Sequence, residues 1–114
     1  MRNDQPVMSF GVMGGPMQAQ GHIQLTLRTE LWAQEPQMAI DAPRWRFDQG
    51  KQVAVEASMP TKTIKALSDM DHMIKIENYD NTFGFGGAQI IRNLGNNFFI
   101  AGSDPRKDGQ AVGM

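Results

Sequence analysis

The glycine pair Gly14-Gly15 constrains the fold of this chain more than any other feature of its sequence. It separates a short apolar run, residues 7–13, from Pro16, which suits the first position of a helix because that position needs no N–H. A strand, two glycines and a helix in this order leave unpaired backbone N–H groups that share one direction. Such a junction is either a tight turn that needs glycine for its backbone angles or a site for an anion or oxyanion.

Apolar spacing and prolines predict three helices. The first spans residues 16–34, and its apolar stripe has a spacing of four: Ala19, Ile23, Leu27 and Leu31. Leu25 and Trp32 widen that stripe, and Gly21 within the helix predicts a close backbone contact. The second helix, residues 36–41, begins at Pro36 and ends before Pro43, and the third spans residues 60–70.

Six segments have the composition of strands: 7–13, 44–47, 52–56, 72–77, 88–94 and 97–101. Gly95-Asn96 joins the last two as a hairpin. In residues 44–47, R-W-R-F, we interpret the alternation as aromatic residues in the core and arginines in solvent. Stacking and charge could also bind a nucleic-acid strand, but a net charge of −1 disfavours that interpretation.

The order of these elements predicts an α+β fold, with helices packed on a mostly antiparallel sheet. A doubly wound parallel fold is disfavoured because strands and helices do not alternate regularly. We expect a polar leader, residues 1–6, followed by a single domain, residues 7–114.

Several classes of site and location are disfavoured by composition. The chain contains no cysteine, which excludes a disulfide, a thiolate metal site and a cysteine nucleophile. His22 and His72 lie on different elements without metal-ligand spacing, so we expect neither a metal nor a cofactor. No apolar run approaches 18 residues and residues 1–10 lack a signal-peptide pattern; we expect no membrane partner, and a cytoplasmic location by default. We interpret the glycines of Gly84-x-Gly86-Gly87 as loop flexibility, since no Lys-Ser/Thr follows them as in a phosphate loop.

Four segments in this order resemble the gamma-glutamyltransferase family, its bacterial gamma-glutamyltransferase-like branch in particular. They are F-G-V-M-G-G-P-M-Q-A-Q-G-H (10–22), A-I-D-A-P-R-W-R-F (39–47), G-G-A-Q-I-I (86–91) and A-G-S-D-P-R-K-D-G-Q-A-V-G-M (101–114). The resemblance implies the αββα fold of the N-terminal-nucleophile hydrolases and the C-terminal part of a small subunit. It implies that the N–H groups of Gly14 and Gly15 form an oxyanion hole, and that Arg44 and the turn 104–106 are structural.

The family's nucleophile, a threonine freed by self-cleavage that attacks a gamma-glutamyl amide, has no counterpart here. None of residues 1–13 is a threonine, and the later ones match no nucleophile position: Thr26, Thr29, Thr61, Thr63 and Thr82. Pro16 also departs from the small polar residue common after the family's glycine pair. We therefore expect the chain alone to be inactive, and gamma-glutamyl compounds to bind only when an upstream or large-subunit segment completes it.

Two other interpretations stay open. The chain could be a non-catalytic interaction module that forms a homo-oligomer or completes a partner, because strands missing from its sheet would expose an edge and apolar surface. It could also be a small-molecule binder that uses the helix N-terminus as an anion site.

Overall fold

A computed structural model of the protein describes residues 1, 3–78 and 84–113. The sequence predicts a loop over residues 78–87, and its residues 79–83, including Thr82, lie outside the described residues. The elements are β1 (Met8–Met13), α1 (Met17–Thr26), a π-helical turn (Leu27–Leu31), α2 (Pro36–Asp41), β2 (Trp45–Gln49), β3 (Gln52–Glu56), α3 (Thr61–Asp69), β4 (Met73–Glu77), β5 (Gly87–Gly95) and β6 (Phe98–Ser103).

The first sheet is antiparallel and has the strand order β1-β5-β6. Helices α1 and α2 pack on it around one hydrophobic core: Val12, Leu25, Ala39, Ile40, Ala88 and Ile90. The predicted hairpin is confirmed, with its turn at Asn96-Asn97, where positive φ angles of 51° and 62° suit asparagine. Strand β1 is at an edge of this sheet, which brings the glycine junction to its border.

The second sheet has the order β2-β3-β4, and its two pairings differ in direction. Strands β2 and β3 form an antiparallel hairpin, whereas β3 and β4 are parallel and joined through α3. The predicted α+β class is therefore confirmed. The strands divide into two sheets of three.

The expected apolar stripe of the first helix lies on its outer face, so that prediction is wrong. The side chains of Ile23 and Leu31 are 58% and 69% exposed. The buried face instead carries Met17, Gly21, Gln24, Leu25 and Thr29. Apolar periodicity misses this face because two of its members are polar residues that hydrogen-bond to backbone oxygens.

Gly21 makes the close contact that the sequence predicts, although its neighbour is a side chain rather than backbone. A Cβ atom at Gly21 would lie 2.6 Å from Cγ1 of Val12 in β1. The absence of a side chain therefore sets how closely α1 approaches the first sheet.

The orientation predicted for R-W-R-F is reversed. The side chains of Trp45 and Phe47 are 39% and 48% exposed, whereas Arg44 is buried and Arg46 is largely buried. The arginines turn inward because buried carboxylates and backbone oxygens on neighbouring segments receive them. Among the described residues, no helix is long and apolar enough to cross a membrane.

Candidate functional site

The glycine junction between β1 and α1 has backbone angles that favour glycine at both positions. Gly14 has φ +133° and Gly15 has φ +58°. Their carbonyl oxygens accept the first helical bonds, from Met17 N–H at 3.1 Å and Gln18 N–H at 3.0 Å. Within the described part of the chain, the N–H groups of Gly14 and Gly15 have no acceptor. The tight turn and the free donors therefore occur together at this junction.

An open cavity of about 490 Å³ borders the junction. It lies between the start of α1, strand β2 and the segment that leads into β5, and is lined by Gly14, Pro16, Met17, Gln20, Arg46, Phe47, Asp48 and Gly84. Both a cationic and an anionic side chain border it, so the cavity has no single sign of charge.

Two glutamines of α1 hold strand β2 along its outer edge. Gln24 accepts from Trp45 N–H at 3.1 Å and donates to Trp45 C=O at 2.8 Å. Gln20, one helical turn earlier, accepts from Phe47 N–H at 2.7 Å and donates to Phe47 C=O at 3.1 Å. Each side-chain amide thus replaces a neighbouring strand, and the pair fixes β2 beside the helix that begins at the glycines.

Arg46 connects β2 to the segment before β5. Its Nε donates to Asp48 Oδ1 at 2.6 Å, its Nη2 lies 3.3 Å from Glu77 Oε1, and its Nη1 donates to the carbonyl oxygen of Gly84 at 2.6 Å. The guanidinium carbon lies 5.3 Å from the ring centre of Phe85. The hydrogen bond to Asp48 is the largest influence on the pKa of Arg46, which is raised. The guanidinium N–H groups of Arg46 thus donate to acceptors within the protein.

Gly86 packs directly against the junction. It has φ +73°, and a Cβ atom on it would lie 2.3 Å from the carbonyl oxygen of Met13. A Cβ atom on Gly14 would in turn lie 3.0 Å from the Cα atom of Gly86. Residues 84–86 are buried, so the interpretation of their glycines as loop flexibility is wrong; Gly86 is needed for close contact.

Four buried charged side chains, those of Arg44, Glu56, Asp104 and Arg106, form a cluster that contacts Phe85. Arg44 Nη2 donates to Asp104 Oδ2 at 2.6 Å, while Arg106 pairs with Glu56 through Nε at 2.5 Å and Nη2 at 2.6 Å. Arg106 Nη1 also lies 3.1 Å from Asp104 Oδ1, and Arg44 Nη1 donates to the carbonyl oxygen of Phe85 at 3.0 Å. The structural role predicted for Arg44 and the turn 104–106 agrees with these contacts.

The cluster shifts the pKa values of Asp104 and Arg106. Burial opposes the charge of Asp104, yet Arg44 and the backbone N–H groups of Arg106 and Ala88 hold the pKa of this carboxyl below its usual range. Burial also opposes the charge of Arg106, but its pKa is raised because Glu56 binds it. Two positive and two negative charges balance, which is how buried charges are tolerated.

The imidazole ring of His22 contacts backbone groups of α1 and β1. His22 Nδ1 is 2.6 Å from Gln18 O, and its Nε2 is 3.4 Å from Val12 N, so backbone groups occupy both ring nitrogens. In the part of the chain that the structure describes, no three His, Asp or Glu side chains are grouped to hold a metal. The threonine hydroxyls of Thr26 and Thr29 donate to carbonyl oxygens of their own helix.

The whole chain, residues 1–114, matches the gamma-glutamyltranspeptidase family. It belongs to that family. Two characterised relatives are the glutathione hydrolase-like YwrD proenzyme of Bacillus subtilis, 31% identical over 99% of this chain, and the oxamate amidohydrolase proenzyme of Klebsiella pneumoniae, 29% identical over 97%. The chain spans 22% of the length of each.

Solved structures agree with this membership. Cephalosporin acylase from Bacillus halodurans superposes on 95% of this chain with a TM-score of 0.87 and 44% identity, and the match covers 20% of the acylase chain. Gamma-glutamyltranspeptidase from Pseudomonas nitroreducens covers all of this chain with a TM-score of 0.80 at 20% identity, and 57% of its own chain is covered. The fold is therefore that of the N-terminal-nucleophile hydrolases, and this gamma-glutamyltranspeptidase-family chain spans a part of the length of such proteins.

Of the two predicted site residues of this family member, Gly14 lines the cavity, and Gly15 is the exposed residue that follows it. Sequence reasoning missed the residues that hold the junction: Gln20, Gln24, Arg46 and Gly86. The i, i+4 spacing of Gln20 and Gln24 is a usable signal, but it equally describes a solvated helix face. Apart from Asp48, two residues later, the partners that turn Arg46 inward are Glu77 and Gly84, which are 31 and 38 residues away and give no local signal.

Proposed function

We propose that this chain supplies the oxyanion hole of an amide-cleaving or gamma-glutamyl-transferring enzyme. The N–H groups of Gly14 and Gly15 would bind the oxygen that becomes negative when a nucleophile attacks the amide carbonyl. One observation carries the proposal: both donors lack an internal acceptor among the described residues, and Gly14 lines a cavity at the N-terminus of α1. The names of the relatives support amide and gamma-glutamyl substrates as the class to test.

The nucleophile of this reaction would come from the part of the family's proteins that this chain does not span. The threonines of α3 and of the first helix lie away from the lining of the glycine cavity. We therefore propose that the chain alone is inactive and that an upstream or large-subunit segment completes the site.

A graft tests this function. The 114-residue chain replaces the equivalent fifth of the Bacillus halodurans acylase, and hydrolysis of a gamma-glutamyl anilide and of the acylase's own substrate is measured. We expect turnover by the graft and none by the chain alone. Gly15→Ala should lower kcat, because a Cβ at φ +58° strains the junction, whereas Gly11→Ala meets open space and should not. Turnover by the pure chain, or a folded graft without activity, would contradict the proposal.

A second function, a non-catalytic interaction module, is favoured by one other observation. The outer face of the first helix exposes the apolar stripe of Ile23, Leu27 and Leu31, with Trp32 beside it. Such a stripe is typical of a surface that another chain or segment covers. We expect light scattering to show self-association that weakens in Leu31→Glu but not in Lys62→Glu on the exposed α3. A monomer mass at high concentration would count against this function.

A further inference from the structure

We propose that Arg46 is a positioning residue for the oxyanion hole, and that it acts through residues 84–86. The proposal rests on the function proposed above for Gly14 and Gly15. It concerns how the N–H of Gly14 receives its direction rather than what that N–H binds.

The peptide group that contains the Gly14 N–H packs against Gly86. This planar unit also contains the carbonyl of Met13, so the direction of one end fixes the direction of the other. The Met13 oxygen lies against Gly86, where a Cβ atom would approach it to 2.3 Å. Gly14 itself adjoins the Cα atom of Gly86, at 3.0 Å from its own Cβ position. Rotation of this peptide group is therefore restricted by Gly86.

The two residues before Gly86 are held by hydrogen bonds from two arginines. Arg46 Nη1 donates to the carbonyl oxygen of Gly84 at 2.6 Å, and its guanidinium lies over the ring of Phe85. Arg44 donates to the carbonyl oxygen of Phe85 at 3.0 Å. Two arginines thus hold the two residues before Gly86, each by a charge-assisted bond to a backbone oxygen.

The contacts of Arg46 differ from those of an arginine that binds a substrate. An arginine that recognises a substrate carboxylate must offer a free pair of N–H groups. Arg46 instead directs its donors to Asp48, Glu77 and Gly84 at distances between 2.6 and 3.5 Å. Arg46 borders the cavity, but its guanidinium N–H groups already bind acceptors within the protein. These contacts are those of a residue that holds the backbone in place, not of one that binds a ligand.

Residual dipolar couplings of the backbone amides test the proposal in the 114-residue chain, because they report the direction of each N–H bond. Arg46→Met should change the coupling of Gly14 as well as those of Gly84 and Phe85. Arg46→Lys keeps the charge and should produce a smaller change in the same direction, which also serves if the methionine variant does not fold.

Arg92→Met is the matched control. Arg92 also donates to a backbone oxygen, that of Thr29 at 3.3 Å, and pairs with Glu30 at 3.2 Å. It faces Met8 in the β1–β5 register, about 17 Å along the strands from the pair Met13–Gly87. We expect no change at Gly14 in this variant.

The outcomes separate this proposal from the function on which it rests. An unchanged Gly14 coupling in both Arg46 variants, with changes at residues 84 and 85, would overturn the positioning role and leave the oxyanion hole intact. In the graft, a reoriented Gly14 should lower kcat about tenfold with little change in KM. A reoriented Gly14 with unchanged kcat would instead overturn the assignment of Gly14 to the oxyanion hole.

Discussion

Replacement of Asp104 by asparagine should destabilise the protein more than any other single-charge change. The carboxylate accepts from Arg44, Ala88 N–H, Arg106 N–H and the Arg106 side chain at 2.6 to 3.1 Å, and it is fully buried. Asp104→Asn keeps the shape but leaves two buried guanidinium groups with Glu56 as their only carboxylate in the cluster. Removal of one partner of a buried ion pair lowers the free energy of unfolding by about 3–5 kcal/mol. This cost is a large part of the free energy of unfolding of a typical domain, which is about 5–15 kcal/mol.

Urea unfolding followed by tryptophan fluorescence measures this loss. Asp108→Asn is the control, because Asp108 is exposed, lies four residues after Asp104 and should change stability by less than about 0.5 kcal/mol. A loss below about 1 kcal/mol for Asp104→Asn at pH 7 would refute the idea that the cluster depends on charge balance.

The pH dependence gives the same prediction a second test. Because the pKa of Asp104 is lowered in the folded state, its stabilisation is present above the unfolded pKa, about 3.9, and is lost as pH falls through the folded pKa. Protonated Asp104 resembles asparagine. The stability difference between the wild type and Asp104→Asn should therefore shrink below about pH 4. A constant difference from pH 7 to pH 2 would contradict this reasoning.

The contacts of the first helix give two further predictions, both measured by urea unfolding. Gln24→Leu leaves the N–H and C=O of Trp45 without their side-chain partner and should lower the free energy of unfolding by about 1–3 kcal/mol. Gln18→Leu, on the exposed face of the helix, should lower it little. Equal losses in the two variants would argue against the pairing of Gln24 with β2. Gly21→Ala places a Cβ atom 2.6 Å from Val12 Cγ1 and should cost about 1–3 kcal/mol, with a smaller added cost when Val12→Ala is already present. Strict additivity would refute that contact.

Local chemistry predicts much of this fold from the sequence. Pro36 and Pro43 bracket α2 at its observed bounds, and the alternation of residues 52–56 gives the observed strand β3. The glycine junction between β1 and α1 is also where the sequence predicts it, because prolines and glycines act on the backbone at their own positions.

The side-chain orientations were harder to predict because they depend on distant partners. Arg44 is buried only because Asp104, which is 60 residues away, provides a countercharge. The inner face of α1 includes Gln24 because strand β2 offers it a free edge, 21 residues later. Periodicity assigns apolar residues to the inside and cannot anticipate such pairings, so it put Ile23 and Leu31 on the wrong face.

An amide-to-ester exchange at Gly15 tests the central claim most directly. In the acylase graft, glycolate in place of Gly15 substitutes an oxygen for the N–H and adds no side chain. The oxyanion-hole function predicts that kcat falls by about 10²- to 10³-fold while KM changes little. The same exchange at Gly113, near the exposed end of the chain, should leave kcat unchanged. A Gly15 ester that keeps the kcat of the unmodified graft would contradict the claim.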